Sequence, residues 1–180
     1  VQDAAGNGWQ PDFVWVKARN QAYSHHVYDS VRGASKRLLT NGTQAEFDQG
    51  SGDGVTAFNP NGFDVSHTSS DAVNQLNKDY AAFNWKESVE AGFDIVADTG
   101  TGAAKTVSHN LGVAPKMIIR KSRTSSTGHW YVYHYEIGAS KAGILQLNNA
   151  FAASTAWNST EPTSSVFSVG SNVDENKLND

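Results

Sequence analysis

The stretch "PDFVWVKARN" (residues 11–20) joins a turn-forming proline to a short run of aromatic and β-branched residues with a basic end. This pattern is typical of a β-strand. It returns 104 positions later as "PKMIIRKSRT" (residues 115–124), where the proline, the lysine and the arginine are identical and the apolar triplet keeps its place. One type of strand therefore occurs twice in the chain.

The repeat extends well beyond this strand. The tetrapeptide G-A-S-K occurs at Gly33–Lys36 and at Gly138–Lys141, an offset of 105, and Phe63 matches Phe167 at an offset of 104. A period near 104 is the size of a small domain and is too long for a solenoid repeat of about 20–50 residues. The sequence thus predicts a tandem duplication.

The duplication predicts a first β unit at residues 1–104 and a second, truncated β unit at residues 105–180. Residues 77–104 close the first unit and have no second copy. Strands that lack their partners there would leave exposed sheet edges. Three explanations stay open: the two units share one core, a neighbouring subunit completes the second unit, or the sequence is a segment of a longer chain.

Six short apolar runs in the chain end in turn residues, as a strand does. They are DFVWVK (12–17), FDIVAD (93–98), KMIIRK (116–121), HWYVYHY (129–135), GILQLN (143–148) and SSVFSVG (164–170). Asn-Gly, Asp-Gly and Thr-Gly pairs between such runs favour tight turns. We therefore predict an all-β, mainly antiparallel fold of two related β-sandwich-like units. One short helix is predicted over residues 71–83, where apolar residues recur every three or four positions.

Composition excludes several classes of protein. The 180 residues include 14 basic and 18 acidic ones, and this net charge of −4 argues against a nucleic-acid-binding protein. Cysteine is absent, so we expect no disulfide, no thiolate metal site and no cysteine nucleophile. The start, "VQDAAGNGWQ", lacks the features of a signal peptide, and no apolar run approaches a membrane span. We expect a soluble chain or a part of a soluble assembly, without membrane insertion.

The G-A-S-K tetrapeptide shares a glycine and a lysine with phosphate-binding loops. A Walker loop needs G-x-x-x-x-G-K-[ST] between a strand and a helix. Here Arg37 follows the first lysine, and the residues after both copies predict strands. A glycine turn that leads into an apolar strand is the better interpretation. Lys36 and Lys141 remain candidates for a surface that meets acidic sugars or a partner chain.

Aromatic residues are abundant, with five Trp, six Tyr and eight Phe. The run at residues 129–135 would carry rings on both faces of a strand, because successive side chains alternate. Exposed rings with polar neighbours suit the faces of sugars. Trp130, Tyr131 and Tyr133 are therefore candidate ligand-binding residues, together with the two lysines. The alternative is that a second sheet or a neighbouring subunit buries both faces.

No catalytic set of residues stands out. The D-T-G sequence at Asp98–Gly100 resembles the aspartic-protease signature, which needs two copies, and a second copy is missing. The chain has no G-x-S-x-G elbow, and no spacing sets two of its acids apart as a glycosidase pair. We predict that the protein is not an enzyme.

Metal sites are also not favoured. The adjacent pair His25-His26 would point to opposite faces of a strand and could not chelate one ion. The run Asp48–Gly54 is rich in oxygen ligands but lacks the closing glutamate of an EF-hand. We predict no metal ligands and no cofactor, with calcium at Asp48–Gly54 as the alternative.

A family resemblance rests on the order of several motifs. They are "PDFVWVKARN", "HHVYDSVRGASKRLLTN", "GFDV", "DYAAFNWK" and "FDIVADTGTGAAKTVSHNLGVAPKMIIRK". This order resembles a tandem-repeat domain of unknown function in tail-fibre and other virion surface proteins of marine bacteriophages. The resemblance covers nearly the whole chain, which ends before a second "DYAAF"-like strand.

The resemblance implies a non-enzymatic structural or adhesive module of a phage particle. It implies self-association or contact with other virion subunits, location in the virion, and binding of host cell-surface glycans as a further role. A secreted bacterial carbohydrate-binding module is the alternative function.

Overall fold

The computed structural model describes residues 1–2, 5–68 and 73–171. These residues form antiparallel β-sheets and a short 3₁₀ helix, so the predicted all-β, mainly antiparallel class is confirmed. Within them, no helix is long and apolar enough to cross a membrane. The chain divides into two compact units: the first is Val1–Thr40 and Glu46–Ile95, and the second is Asn41–Ala45 and Val96–Asp180. The boundary between Ile95 and Val96 lies earlier than the predicted one at residue 104.

The first unit contains a five-stranded sheet and a hairpin. Its strands are β1 (Phe13–Ala18), β2 (His26–Asp29), β3 (Lys36–Leu39), β4 (Phe47–Asp48), β5 (Gly54–Asn59), β6 (Gly62–Ser66) and β7 (Tyr80–Trp85). The sheet has the order β4-β3-β2-β1-β7, and β5 pairs with β6. Strand β1 buries alternate residues, Val14, Val16 and Ala18, as the period of two dictates. Two of these, Val14 and Val16, form a core with Val55 of the hairpin, so the two layers pack as in a sandwich.

The second unit contains a four-stranded sheet and a separate pair of strands. Its strands are β8 (Lys105–Ser108), β9 (Met117–Arg120), β10 (Tyr131–His134), β11 (Lys141–Ile144), β12 (Ala152–Ala153) and β13 (Val166–Val169). They form a four-stranded sheet of order β12-β11-β10-β9 and a pair, β13-β8. The core joins Tyr133 of the first sheet to Phe167 of the second through the fully buried Trp157.

The G-A-S-K sequence forms the predicted turn in both units. Gly33 has φ +98° and Gly138 has φ +82°, values that a residue with a Cβ atom rarely adopts. The amide of Gly33 donates to the carbonyl of Asp29, and that of Gly138 donates to His134, both at 3.1 Å. Strands β3 and β11 follow directly where a phosphate loop would need a helix, so the interpretation as a turn is confirmed.

The helix predicted over residues 71–83 is wrong wherever the structure describes those residues. Residues 71 and 72 lie outside the described part, and Tyr80–Phe83 belong to strand β7. Asn77 has φ +59°, which a right-handed helix cannot contain. Pairing with β1 along all six residues of β7 outweighs the helical spacing.

The strand predicted at FDIVAD (93–98) is also wrong, because only Phe93 makes an isolated bridge, to Ser88. The amide of Ile95 lies 3.1 Å from the Asp94 carboxylate and 3.5 Å from the Glu87 carboxylate. Carboxylates that accept hydrogen bonds from backbone amides in this way compete with the carbonyls of a neighbouring strand.

Candidate interaction surface

The predicted aromatic ligand site lies largely inside the second unit. Trp130 and Tyr133 are only 7% and 2% exposed, and Tyr131 is half-buried against the core. The Trp130 indole donates to the carbonyl of Gly42 (3.2 Å), and the Tyr133 hydroxyl donates to Glu161 (2.5 Å). Strand β10 lies between β9 and β11, and the core of the unit encloses the Tyr133 ring. Trp130 and Tyr133 therefore offer no open ring face, which agrees with the alternative that the rings are buried. Ligand binding by Trp130, Tyr131 and Tyr133 stays a prediction.

The two candidate lysines have different surroundings. Lys36, in the first unit, forms an ion pair with Asp48, which also accepts bonds from the Ser35 hydroxyl (2.6 Å) and the Gly50 amide (2.9 Å). The bond from Lys36, followed by the other two, holds the pKa of Asp48 below its ordinary value. Lys141, in the second unit, is exposed. Ligand binding by either lysine stays a prediction.

The carboxylates of the predicted calcium loop already bond to groups of the protein. Asp48 faces Lys36, and Asp53 accepts bonds from the amide (2.6 Å) and hydroxyl (3.1 Å) of Thr68. In the part of the chain that the structure describes, no three His, Asp or Glu side chains are grouped so that they could hold a metal ion. His26 is buried, with Nδ1 3.1 Å from the Tyr28 hydroxyl. Calcium binding at Asp48–Gly54 stays a prediction. The described side chains do not form a set of calcium ligands there in this geometry.

The D-T-G aspartate has cations as neighbours, and within the described ranges no second carboxylate bonds to it. Arg120 donates two hydrogen bonds to Asp98, at 2.6 and 3.0 Å, and the Lys105 ammonium lies 2.5 Å from Asp98 Oδ2. Burial alone would raise the pKa of Asp98, but the bonds from Arg120 and Lys105 outweigh burial and lower it. A protease dyad shares a proton between two acids, whereas this arrangement favours an ionised carboxylate.

We expect Asp98 to make the second unit sensitive to acid. Its folded pKa lies below the unfolded one, so its stabilisation is present at neutral pH and is lost as pH falls through the folded pKa, below about pH 4. Asp98→Asn should lower the free energy of unfolding at pH 7 by on the order of 1 kcal/mol and should weaken the dependence on pH. Urea unfolding at several pH values, followed by amide exchange in residues 96–171, measures both.

Glu136→Gln, at an exposed carboxylate of the same unit, is the matched control and should leave the profile unchanged. A hydrogen bond from Tyr133, and then one from the Ala139 amide, lower the pKa of Glu161, so part of the acid sensitivity should persist in Asp98→Asn. An Asp98→Asn profile identical to that of the wild type would contradict the prediction.

A group of three aromatic rings, of which one is exposed, lies at one end of the five-stranded sheet. Strands β1 and β7 pair antiparallel with Phe13 opposite Trp85, which places the two rings side by side. The chain then returns through a tight turn in which Ser88 and Phe93 exchange backbone hydrogen bonds (3.0 and 3.2 Å) and Gly92 has φ +65°. This turn brings Phe93 back to the same place. We call Phe13, Trp85 and Phe93 the Trp85 cluster.

The rings of the Trp85 cluster form a compact platform. Trp85 and Phe93 are stacked, with centroids 6.2 Å apart and planes inclined by 24°, and Phe13 meets them edge-on at 5.5 and 5.8 Å. Trp85 is 39% exposed, and Phe83, two residues earlier on β7, is 58% exposed. Large exposed rings on a well-ordered strand are typical of binding surfaces.

Three carboxylates are close in the sequence to the rings of this platform: Asp12, Glu87 and Asp94. Asp12 accepts bonds from the Gln10 amide (2.9 Å) and the Ser30 hydroxyl (3.1 Å), and its other oxygen accepts the Glu87 backbone amide (2.9 Å). Burial raises the pKa of the Glu87 carboxyl, and the neighbouring Asp94 and Asp12 carboxylates raise it further. Rings and acidic oxygens thus share this end of the sheet, a combination that can stack on a sugar ring and accept bonds from its hydroxyls.

The Trp85 cluster was not predicted from the sequence. A signal was present, because Phe83 and Trp85 stand two positions apart and so face the same side of a strand. The pairing of Phe13 with Trp85 joins residues far apart in the chain, and no local pattern contains it.

Residues 1–180 match a family model whose description is "Domain of unknown function (DUF7483)". No curated protein and no solved structure matches the chain. The match covers the entire sequence and brings no assigned activity with it, so the function has to be inferred from the residues.

Proposed function

We propose that this chain, which belongs to the DUF7483 family of domains of unknown function, is a non-enzymatic structural and adhesive module of a phage tail fibre or other virion surface protein. We propose location in the virion because the motifs of the chain resemble repeats of marine bacteriophage proteins. Adhesion is inferred from the Trp85 cluster, in which the Trp85 ring is exposed and carboxylates are close in the sequence. Host-surface glycans are the proposed ligands, and virion subunits or further copies of the chain are the proposed partners.

We also propose that the two units are copies with a period of about 104 residues. Strands β1 to β4 and β9 to β12 follow one another in the same order in their sheets. The Lys17 ammonium lies 2.8 Å from the carbonyl of Gln21, and the Lys121 ammonium lies 3.1 Å from that of Ser125, the same bond in each unit. Equivalent strands, turns and lysine bonds together favour duplication over convergence.

The Trp85 cluster suits a sugar better than it suits a catalytic reaction. One face of a saccharide is apolar and stacks on an indole ring, while its hydroxyls donate to carboxylate oxygens such as those of Asp12 and Asp94. The pairing of β1 with β7 and the turn from Ser88 to Phe93 hold the three rings in place, so binding requires little reorganisation.

Trp85→Ala tests this proposal directly. We expect the wild-type protein to bind a subset of glycans on an array of bacterial surface polysaccharides. We expect Trp85→Ala to weaken that binding by about tenfold or more, because an aromatic anchor supplies about 1.4 kcal/mol or more. Titration calorimetry with the best glycan measures the change.

Tyr135→Ala is the matched control, since Tyr135 is an aromatic side chain of similar exposure outside the cluster. Thermal unfolding of both variants checks that each remains folded. Binding that survives Trp85→Ala unchanged would exclude the cluster as the adhesive site, and absence of binding to any glycan would leave only the structural role.

A secreted bacterial carbohydrate-binding module is the second candidate, since the same ring surface would serve it. The two functions differ in their ligands. A phage adhesin should bind glycans from the surface of host cells, whereas an enzyme-linked module should bind the polymer that its partner enzyme degrades.

A further inference from the structure

Strand β9 has one open edge. It pairs with β10 on one side, and on the other side no strand lies next to it among residues 41–45 and 96–171, the described part of its unit. Met117 is 52% exposed and Ile119 is 42% exposed, whereas Ile118 packs against the core. Sheet edges with apolar side chains readily pair with another strand, and proteins usually cover or charge them. The edge of β9 carries neither a cover nor a charge at these two positions.

The first unit shows what covers the equivalent edge. Strand β1 corresponds to β9 at an offset of 104, so Phe13 and Trp15 occupy the places of Met117 and Ile119. Strand β7 lies along β1 in an antiparallel register, with Trp85 opposite Phe13 and Phe83 opposite Trp15. The covering strand therefore places aromatic rings beside the two outward-facing residues of the strand that it covers.

The backbone around β9 presents the same frame as that around β1. The residue before each strand accepts a backbone hydrogen bond at its carbonyl. The Asp12 carbonyl accepts the amide of Ser30 (2.8 Å), and the Lys116 carbonyl accepts the amide of Tyr135 (3.0 Å). The amide of Asp12 then donates to the carbonyl of Trp85 in β7 (2.9 Å). The equivalent amide of Lys116 has no hydrogen-bond partner in the described residues. The amide that β7 pairs in the first unit therefore has an unpaired equivalent among the described residues of the second unit.

We infer that the free edge of β9 accepts one extended peptide segment with the aromatic alternation of β7, paired antiparallel. Its tryptophan position would lie opposite Met117 and its phenylalanine position opposite Ile119. Methionine sulfur makes favourable contacts with aromatic rings, and β-branched isoleucine packs well beside phenylalanine across strands. Backbone hydrogen bonds supply affinity, and the ring positions supply specificity, as in other cases of strand addition.

This inference rests on the duplication proposed above and is independent of glycan binding, which uses the first unit. The two fail separately: loss of glycan binding leaves the β9 edge intact, and failure of peptide binding leaves the Trp85 cluster intact.

A synthetic peptide of residues 78–87, KDYAAFNWKE, tests whether the edge of β9 binds such a segment in the full 180-residue chain. We expect the peptide to bind and to slow amide exchange at Lys116–Arg120, with no change at β1, whose edge β7 already covers. A peptide of the same composition with the alternation of Phe and Trp removed should bind about tenfold or more weakly.

Ile119→Lys places a charge on the edge and should weaken binding of the peptide by about tenfold or more. Leu147→Lys is the matched control, because Leu147 is exposed to a similar degree in the same unit but lies outside β9. Unchanged exchange at β9 with the peptide present would overturn the inference. Equal affinity of wild type and Ile119→Lys would overturn it as well.

Discussion

Replacement of Trp157 by alanine is expected to destabilise the second unit by about 3–5 kcal/mol, the usual cost of removing a large buried aromatic side chain. Trp157 is 1% exposed and lies in the core of that unit. Its ring meets Tyr133 and Phe167 edge-on, with centroids 5.9 and 6.5 Å away. Tyr133 belongs to one sheet and Phe167 to the other, so the cavity would open between the two layers that this side chain joins.

Hydrogen exchange under increasing urea measures this loss separately for each unit. Amides of β10 and β13 should lose protection at lower urea in Trp157→Ala, while amides of β1 and β2 should keep theirs to the extent that the units unfold separately. Trp85→Ala is the control, because an exposed tryptophan leaves little cavity and should cost about 1 kcal/mol or less. A cost below about 1 kcal/mol for Trp157→Ala would show that the core of the second unit does not depend on this ring.

Arg32→Met is expected to destabilise the first unit by about 3 kcal/mol or more. The side chains of Arg32 and Asp29 are 7% and 6% exposed, and Arg32 Nε lies 2.5 Å from Asp29 Oδ2. The guanidinium also bonds to Glu46 (3.0 Å) and to the carbonyl of Lys36 (3.0 Å), so it ties the ends of the G-A-S-K turn to β2 and to the loop before β4. Removing one partner of a buried ion pair leaves an uncompensated charge, which costs about 3–5 kcal/mol.

Two further variants sharpen this prediction. The double variant Arg32→Met with Asp29→Asn also removes the buried charge of Asp29, which Arg32→Met alone leaves unpaired. It should recover part of the lost stability. Arg37→Met is the matched control, since the Arg37 guanidinium lies 5.3 Å from the exposed Phe47 ring and such contacts contribute about 0.5–1 kcal/mol. Urea midpoints of the four proteins give the comparison. If Arg32→Met unfolds at the wild-type midpoint, the turn is held by its glycine and not by the arginine.

Strands β1, β9, β10 and β13 could be predicted because their signals are local. DFVWVK and KMIIRK alternate or cluster apolar residues between turn formers, and β1 and β9 lie within one or two residues of these runs. FDIVAD carries the same signal and forms no strand, because side-chain carboxylates bond to the amide of Ile95 and no partner strand pairs with it. A strand needs a partner, and an apolar run does not specify one.

The candidate site could be predicted much less well. Trp130 and Tyr133 were chosen for their ring content, but the sheets of the second unit bury both. Trp85 and Phe83 lie exposed on β7, outside the aromatic run at residues 129–135 that the sequence favoured as a site. Burial depends on which strand is central and which is at the edge of a sheet, and this is decided by contacts between distant residues.

The sequence alone determines the β class, the duplicated pattern and the glycine turns, because these depend on periods of two and on residues with special φ preferences. The tertiary structure alone decides that β7 pairs with β1 and that the rings of Phe13, Trp85 and Phe93 meet in one platform. It also decides that, among the described residues, only β10 pairs with β9. These features arise from pairing between segments far apart in the chain, and the energy of such pairing is absent from any local stretch of residues.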